Sequence, residues 1–342
     1  FRDLLEIPFT DSELDEMPYY KPPSDSEEIK YLKERRQQLG GFLPTRKSTY
    51  SGFHMPKSDA FSEFDKGTPK EQEVSTTMAF VRLLRNLMKD EKIGNLIVPI
   101  VPDEARTFGM EALFTEFKIY NAQGQIYTPV DSQLLLSYKE SESGQILEEG
   151  ISEAGAMSSF TAAGMAYSTV GKPTIPFYIY YSMFGFQRVG DQIWCAADSR
   201  TKGFLLGATA GRTTLNGEGL QHQDGHSLLT SSTVPNCLSY DAAFAYEIGI
   251  IVKEGLRRMY ENNEDIFYYL TLYNENYPMP ALPKNCEEGV LKGIYKFKSS
   301  KKAQVRLIGS GPIMQQVLKA ENILDEMGIK CCLLYTSDAA DD

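Results

Sequence analysis

The sequence is poor in the residues on which several kinds of chemistry depend. It holds three histidines, His54, His222 and His226, one tryptophan and five cysteines in 342 residues. The cysteines, Cys195, Cys237, Cys286, Cys331 and Cys332, are odd in number, and none forms the Cys-x-x-Cys of a metal site. Reduced intracellular thiols are the expected state, with Cys195 and Cys237 read as small buried hydrophobes. Positive charge is also scarce: 35 Lys and Arg against 46 Asp and Glu leave a formal charge of −11. Nucleic-acid binding relies on clustered basic charge, so no nucleic-acid partner is expected. The longest apolar runs, 96–100 and 176–184, fall well short of the ~20 residues that span a bilayer, so no membrane partner is expected. The opening Phe-Arg-Asp-Leu-Leu has neither an initiating Met nor the pattern of a signal peptide, which points to the cytoplasm and to an incomplete beginning.

What is present is ordinary globular composition, 42% hydrophobic and 24% charged, at a length worth about two domains of roughly 150 residues. A charged, loop-like stretch covers 1–52, with a helix over 26–39 capped by Ser26. A polar connector over 53–75 follows. Beyond it, apolar strand patterns at 96–101, 176–184, 204–209, 266–273 and 303–309 alternate with helical patterns at 76–87, 106–117, 150–168, 190–200, 241–260 and 314–327. Such alternation predicts a doubly wound α/β fold around a mostly parallel sheet. The last ten residues, Leu-Leu-Tyr-Thr-Ser-Asp-Ala-Ala-Asp-Asp, read as a non-native tail like translated adaptor DNA and are left outside the fold.

Four segments carry candidate chemistry. At 102–111, Pro-Asp-Glu-Ala-Arg-Thr-Phe-Gly-Met-Glu directly follows a strand, where open α/β sheets bind ligands. Asp103 and Glu104 read equally as acids favoured at a helix start. At 149–156, Glu153 opens a helix of small residues that can approach another backbone closely. A buried carboxylate there suits proton transfer near neutral pH, whereas a solvated one does not. The aromatic run 177–188 holds Tyr181, Phe184 and Arg188, and serves either as core or as a stacking surface for a planar ring. The glycine-rich segment 211–226 holds His222 and His226 at i,i+4 spacing, but the intervening Asp-Gly marks a turn and no His-Glu-x-x-His motif is present. Residues 207–213 depart from a nucleotide P-loop in spacing and in having Arg for Lys.

Three of these motifs together, 102–111, Ile-Pro-Phe-Tyr-Ile-Tyr-Tyr-Ser-Met-Phe-Gly-Phe-Gln-Arg at 175–188, and Gly-Arg-Thr-Thr-Leu-Asn-Gly-Glu-Gly-Leu-Gln-His-Gln-Asp-Gly-His-Ser at 211–227, resemble the homodimeric bacterial pyruvate dehydrogenases. These are the thiamine-diphosphate-dependent decarboxylating components of the pyruvate dehydrogenase complex. The resemblance runs from residue 1 to about 330. It implies a cofactor held at a dimer interface, between the pyrophosphate domain of one subunit and the pyrimidine domain of the other. By it, 1–52 ends an N-terminal pyrophosphate-binding domain, 53–282 is the pyrimidine-binding domain, and 283–332 begins a C-terminal transketolase-like domain. The Gly-Asp-Gly…Asn motif for Mg²⁺ and pyrophosphate does not occur in the sequence, so those ligands are expected in an N-terminal part outside it.

The resemblance also assigns roles. Glu153 matches the glutamate that shares a proton with the pyrimidine nitrogen, favouring the imino form of the exocyclic amine that deprotonates the thiazolium carbon. Phe184 matches the ring stacked on the pyrimidine, with Ile151 nearby, and Glu104 belongs to the cofactor-side carboxylate motif. His222 matches the histidine that meets the substrate adduct, and Tyr181 and Arg188 line the same pocket. The stretch 127–139 is similar to a loop that orders over the active site. Pyruvate is the implied substrate, and the lipoyl domain of dihydrolipoamide acetyltransferase the implied acyl acceptor. His226 and Glu111 stay structural. Two alternatives remain at this point: a transketolase-like or other 2-oxo acid thiamine enzyme, and a cofactor half-site without turnover.

Overall fold

A computed structural model describes the chain except for residues 42–49, 51–52, 70, 103–104, 131–137, 213, 216–218 and 337–342. It divides into two compact units, residues 1–46 and 47–342. The first holds two helices, α1 (Asp11–Leu14) and α2 (Glu27–Gln38). Ser26 caps α2 as the sequence predicts, accepting a hydrogen bond from the Ile29 amide.

The second unit opens with α3 (Thr76–Met88), then β1 (Ile97–Val101), α4 (Glu111–Phe117), β2 (Ile119–Tyr120), β3 (Glu140–Ser141) and β4 (Leu147–Glu148). Next come α5 (Glu153–Gly164), α6 (Ala166–Thr169), β5 (Ile175–Tyr181), α7 (Phe186–Asp198) and β6 (Phe204–Ala208). After these lie α8 (Ser227–Ser231), β7 (Cys237–Asp241), α9 (Ala245–Leu256), β8 (Phe267–Thr271), α10 (Glu287–Leu291), β9 (Ile294–Lys298), β10 (Val305–Gly309), α11 (Met314–Glu326) and β11 (Cys331–Thr336).

Six strands form one sheet in the order β4-β1-β5-β6-β8-β7, and every pairing in it is parallel. Strands buried on both faces carry continuous apolar runs, and all residues of β6 and β8 are buried. The core runs through the sheet: Phe177 of β5 stacks on Phe204 of β6 at 4.7 Å between ring centroids. From β1 the chain moves outward to β4, then returns across β1 to β5. The order therefore reverses beside β1, and the crevice beyond the strand ends at such a reversal is where ligands bind in open α/β sheets. A smaller sheet, β10-β11-β9, is parallel on one side and antiparallel on the other.

Several elements differ from the sequence reading. The expected helix over 150–168 is two, α5 and α6, and α5 packs close to the loop before β6. A Cβ on Gly164 would lie 2.3 Å from the Lys202 carbonyl oxygen, so only glycine fits there. The strand expected to reach Phe184 stops at Tyr181 and becomes a 3₁₀ turn, Ser182–Phe184. The helix expected from 241 starts at 245, because Asp241 still belongs to β7, which periodicity did not reveal. Residues 333–336, left outside the fold as part of a tail, complete β11: Leu333 and Tyr335 alternate into the interior, with exposures of 0% and 1%. Cys237 is buried as expected, but Cys195 lies exposed on α7.

Candidate active site

The predicted site residues issue from successive strand ends at one edge of the large sheet. Glu153 follows β4 and is the first residue of α5. Ser152 caps that helix, its Oγ accepting from the Gly155 amide at 3.1 Å, so the carboxylate is set in a fixed first turn. Tyr181 ends β5, Phe184 ends the following 3₁₀ turn, and Arg188 lies in the first turn of α7. His222 comes from the long connection after β6, in the 3₁₀ turn Leu220–His222.

These five side chains meet. Arg188 Nη1 donates to Glu153 Oε1 at 2.9 Å, and its guanidinium carbon lies 3.8 Å from the centroid of the Phe184 ring. The His222 ring lies 5.0 Å from Tyr181 and 5.2 Å from Phe184, and Tyr181 stands edge-on to Phe184 at 6.0 Å. The Glu153 side chain is only 13% exposed, so it is not a solvated first-turn acid, whereas Arg188 is 47% exposed. Beneath them the buried Tyr178 donates its hydroxyl to the Glu153 carbonyl at 3.3 Å. Burial, and then the Glu153 charge, raise the Tyr178 pKa, so the phenol stays a donor. Ile151, two residues before Glu153, is 80% exposed.

Glu104 lies outside the described residues, as do 131–137 of the stretch similar to a covering loop. The flanks of that stretch are tied together: Tyr127 and Tyr138 both donate to Glu140 Oε1, at 2.8 and 3.0 Å. Two residues of the arrangement escaped the sequence reading. Phe108 packs on Tyr181 at 5.2 Å. Asp224, buried, accepts from the amides of His226 and Ser227 at 3.1 and 3.0 Å and from the Ser227 hydroxyl, which anchors the segment that carries His222. The Asp-Gly pair signalled a turn but not its burial. His226 and Asp224 together form no metal site, and the described residues hold no group of three or more His, Cys, Asp or Glu that could bind an ion.

Residues 55–280 match the pyruvate dehydrogenase E1 component middle domain. The chain belongs to this family. It is similar to the pyruvate dehydrogenase E1 component of Pseudomonas aeruginosa, with 54% identity over 333 residues, covering 96% of this chain and 38% of the relative. The Escherichia coli K12 protein of the same name is 51% identical over 327 residues, covering 94% of this chain and 37% of the relative. The chain thus spans little more than a third of the length of these E1 components. Its fold is shared with transketolases. That of Leishmania mexicana superposes with a TM-score of 0.64 at 14% identity, over 92% of this chain and 39% of that one. That of Campylobacter jejuni gives 0.61 at 19% identity, over 81% and 37%. At such identities the likeness concerns the fold alone, while the E1 middle-domain match covers the strand ends that carry Glu153, Tyr181, Phe184, Arg188 and His222.

Proposed function

We propose that this chain is the central part of a thiamine-diphosphate-dependent pyruvate dehydrogenase. The whole protein would decarboxylate pyruvate and pass the acetyl group to the lipoyl domain of dihydrolipoamide acetyltransferase. The observation that carries this reading is the convergence of Glu153, Phe184 and His222 beyond β4, β5 and β6 in a chain of the E1 middle-domain family. The residues suit the pyrimidine end of the cofactor. A half-buried aromatic face offers a stacking surface, and a carboxyl group 13% exposed can share a proton with one ring nitrogen. In the same reading the ligands of Mg²⁺ and the diphosphate belong to another part of the protein.

Thiamine diphosphate, when bound, supplies an acidic ring carbon that adds to the carbonyl of a 2-oxo acid and takes up the electrons left as CO₂ departs. The chain's own residues do the rest. Glu153 holds and shares a proton at its carboxylate, from which the packing around it keeps water. Phe184 fixes the plane of the heterocycle, and Ile151 and Glu104 complete its surroundings. His222 donates a hydrogen bond to the oxygen on which charge develops, and Arg188 and Tyr181 line the substrate side with a cation and an aromatic wall. A homodimer is part of this reading. Ile151 and Leu220, each 80% exposed beside Glu153 and His222, are apolar surface that a second copy would cover. So are the division into domains at 52/53 and 282/283, and a cytoplasmic location, with which five free cysteines agree.

In the full-length protein that carries this chain, Glu153→Gln is expected to lower pyruvate-dependent acetylation of the lipoyl domain by about 10²–10⁴-fold. Near-normal rates in that assay overturn the assignment of Glu153.

A further inference from the structure

Tyr269 lies in the middle of β8 and is fully buried. Its side chain leans across β6, where a Cβ on Gly207 would overlap the Tyr269 hydroxyl, so only glycine leaves it room. The ring stacks on Tyr180 of β5 at 6.4 Å and stands edge-on to Phe186, the first residue of α7, at 5.0 Å. Tyr180 and Phe186 bracket the turn Ser182–Phe184, which presents Phe184 to the site. At its tip the Tyr269 hydroxyl donates to Ser227 Oγ at 2.8 Å, and Ser227 Oγ donates in turn to the Asp224 carboxylate. Burial, and then the Asp224 charge, raise the Tyr269 pKa well above its ordinary value, so the phenol stays a donor. The Asp224 amide donates to the Gly211 carbonyl at 3.1 Å and closes the segment from which the turn Leu220–His222 projects.

We propose that Tyr269 is a positioning residue for His222: through Ser227 and Asp224 its hydroxyl sets where the imidazole stands relative to Phe184. This rests on the reading of His222 and Phe184 given above. Asp224 follows His222 by two residues, so the backbone that carries the imidazole has little freedom once the carboxylate is fixed. The amides of His226 and Ser227 also hold that carboxylate, but they belong to the same short segment and move with it. The Tyr269 bond refers the segment to the sheet. Because the same ring is wedged against Tyr180 and Phe186, His222 and Phe184 take their places from one buried reference, and their rings stand 5.2 Å apart. Such placement matters for a hydrogen-bond donor, since a shift of about 1 Å at a reacting centre costs roughly 10²-fold in rate.

The test is the split between binding and turnover in the full-length protein that carries this chain. Tyr269→Phe keeps the ring and loses only the hydroxyl, so thiamine diphosphate affinity and the KM for pyruvate should stay within about twofold of the parent. The kcat for pyruvate-dependent acetylation of the lipoyl domain should fall about tenfold, because His222 meets charge that develops only during the reaction. Ser227→Ala breaks the same chain of bonds, and the double variant should be no slower than Ser227→Ala alone. In the 342-residue chain, the His222 ring-proton NMR signals should shift in Tyr269→Phe while the Arg188 side-chain Nε–H signal stays in place. Losses that multiply in the double variant overturn the inference, as does a kcat within about twofold of the parent with His222 signals unshifted. A parallel loss of cofactor affinity and kcat also overturns it, because a merely structural role moves both. In each of these cases a Glu153→Gln variant that is still inactive leaves the proposed function standing. Absence of pyruvate-dependent acetylation in the parent overturns the proposed function instead, and the His222 signals then decide whether Tyr269 positions that ring.

Discussion

Around the site, single residues act through shape as much as through charge. The turn that presents Phe184 and Arg188 is pinned by Tyr180, whose ring lies against Gly185: a Cβ on Gly185 would fall 2.0 Å from Tyr180 Cε2 and 2.8 Å from its hydroxyl. Tyr180 is fully buried and Gly185 is the N-cap residue of α7, so neither partner can yield without moving β5 or the helix start. Gly185→Ala is therefore expected to destabilise the chain by about 1–3 kcal/mol in urea unfolding, with a displaced Arg188 signal as a second readout. Tyr180→Phe is the matched control. Its hydroxyl is buried without a hydrogen-bond partner among the described residues, so removing it should leave stability equal or raised. A loss above 1 kcal/mol in Tyr180→Phe would show that the hydroxyl has a partner after all. The motif Phe-Gly-Phe-Gln-Arg was legible in the sequence as a unit, but the reason its glycine cannot vary was not. That reason is a tyrosine four residues before the motif's first Phe and on the preceding strand, a contact across a turn that no periodicity encodes.

At the scale of elements, legibility followed burial. Strands β1, β5, β6 and β8, covered on both faces, wrote themselves as apolar runs and were found within a residue or two at most edges. Strand β7, Cys-Leu-Ser-Tyr-Asp, lies at the sheet edge with a mixed pattern, and β2, β3 and β4 are two residues each, too short to carry any. Helix α5 shows the same split. Its small residues predicted a close approach, and Gly164 delivers it, but the start was placed three residues early because Gly150 was read inside the helix. The cap decides the start. Ser152→Ala, which removes the acceptor for the Gly155 amide, is expected to cost about 1 kcal/mol in chemical unfolding, and Ser152→Asp to recover most of it. Fraying of that first turn also loosens the Glu153 carboxylate. Ser152→Ala should accordingly weaken the Glu153–Arg188 hydrogen bond, seen as faster exchange of the arginine N–H protons. Unchanged stability in Ser152→Ala would mean that packing, not the cap, sets where α5 begins.

Over the whole second unit, the large and small sheets are joined through a buried polar knot around Glu247. Its carboxylate accepts from the amides of Ala243 and Phe244 at 2.7 and 2.9 Å and from the Tyr295 hydroxyl at 2.5 Å. Tyr295 belongs to β9 of the small sheet, while Ala243 and Phe244 follow β7 of the large one. Tyr335 of β11 adds a bond to the Asp241 carbonyl. Nothing in the run Ala-Tyr-Glu-Ile-Gly marks Glu247 as other than a solvated helix glutamate, because the groups that bury it lie some 50 residues ahead. Burial opposes its ionisation more strongly than the three donors favour it, and pushes its pKa from 4.5 up to about 8. The folded chain then keeps a proton that the unfolded chain has released. Stability contributed by this group is complete below pH 4.5 and is lost as pH rises toward 8, at a slope of at most about 1.4 kcal/mol per pH unit. Glu247→Gln is neutral at every pH and keeps an acceptor for the two amides. In urea unfolding at pH 5, 6.5 and 8, its stability relative to the parent is expected to rise steadily with pH. Because the knot ties both sheets, the parent's loss should appear as one coincident transition of the second unit. A difference between Glu247→Gln and the parent that stays constant over this range would place the proton elsewhere, and separate transitions for the two sheets would show that the knot does not make them one cooperative body.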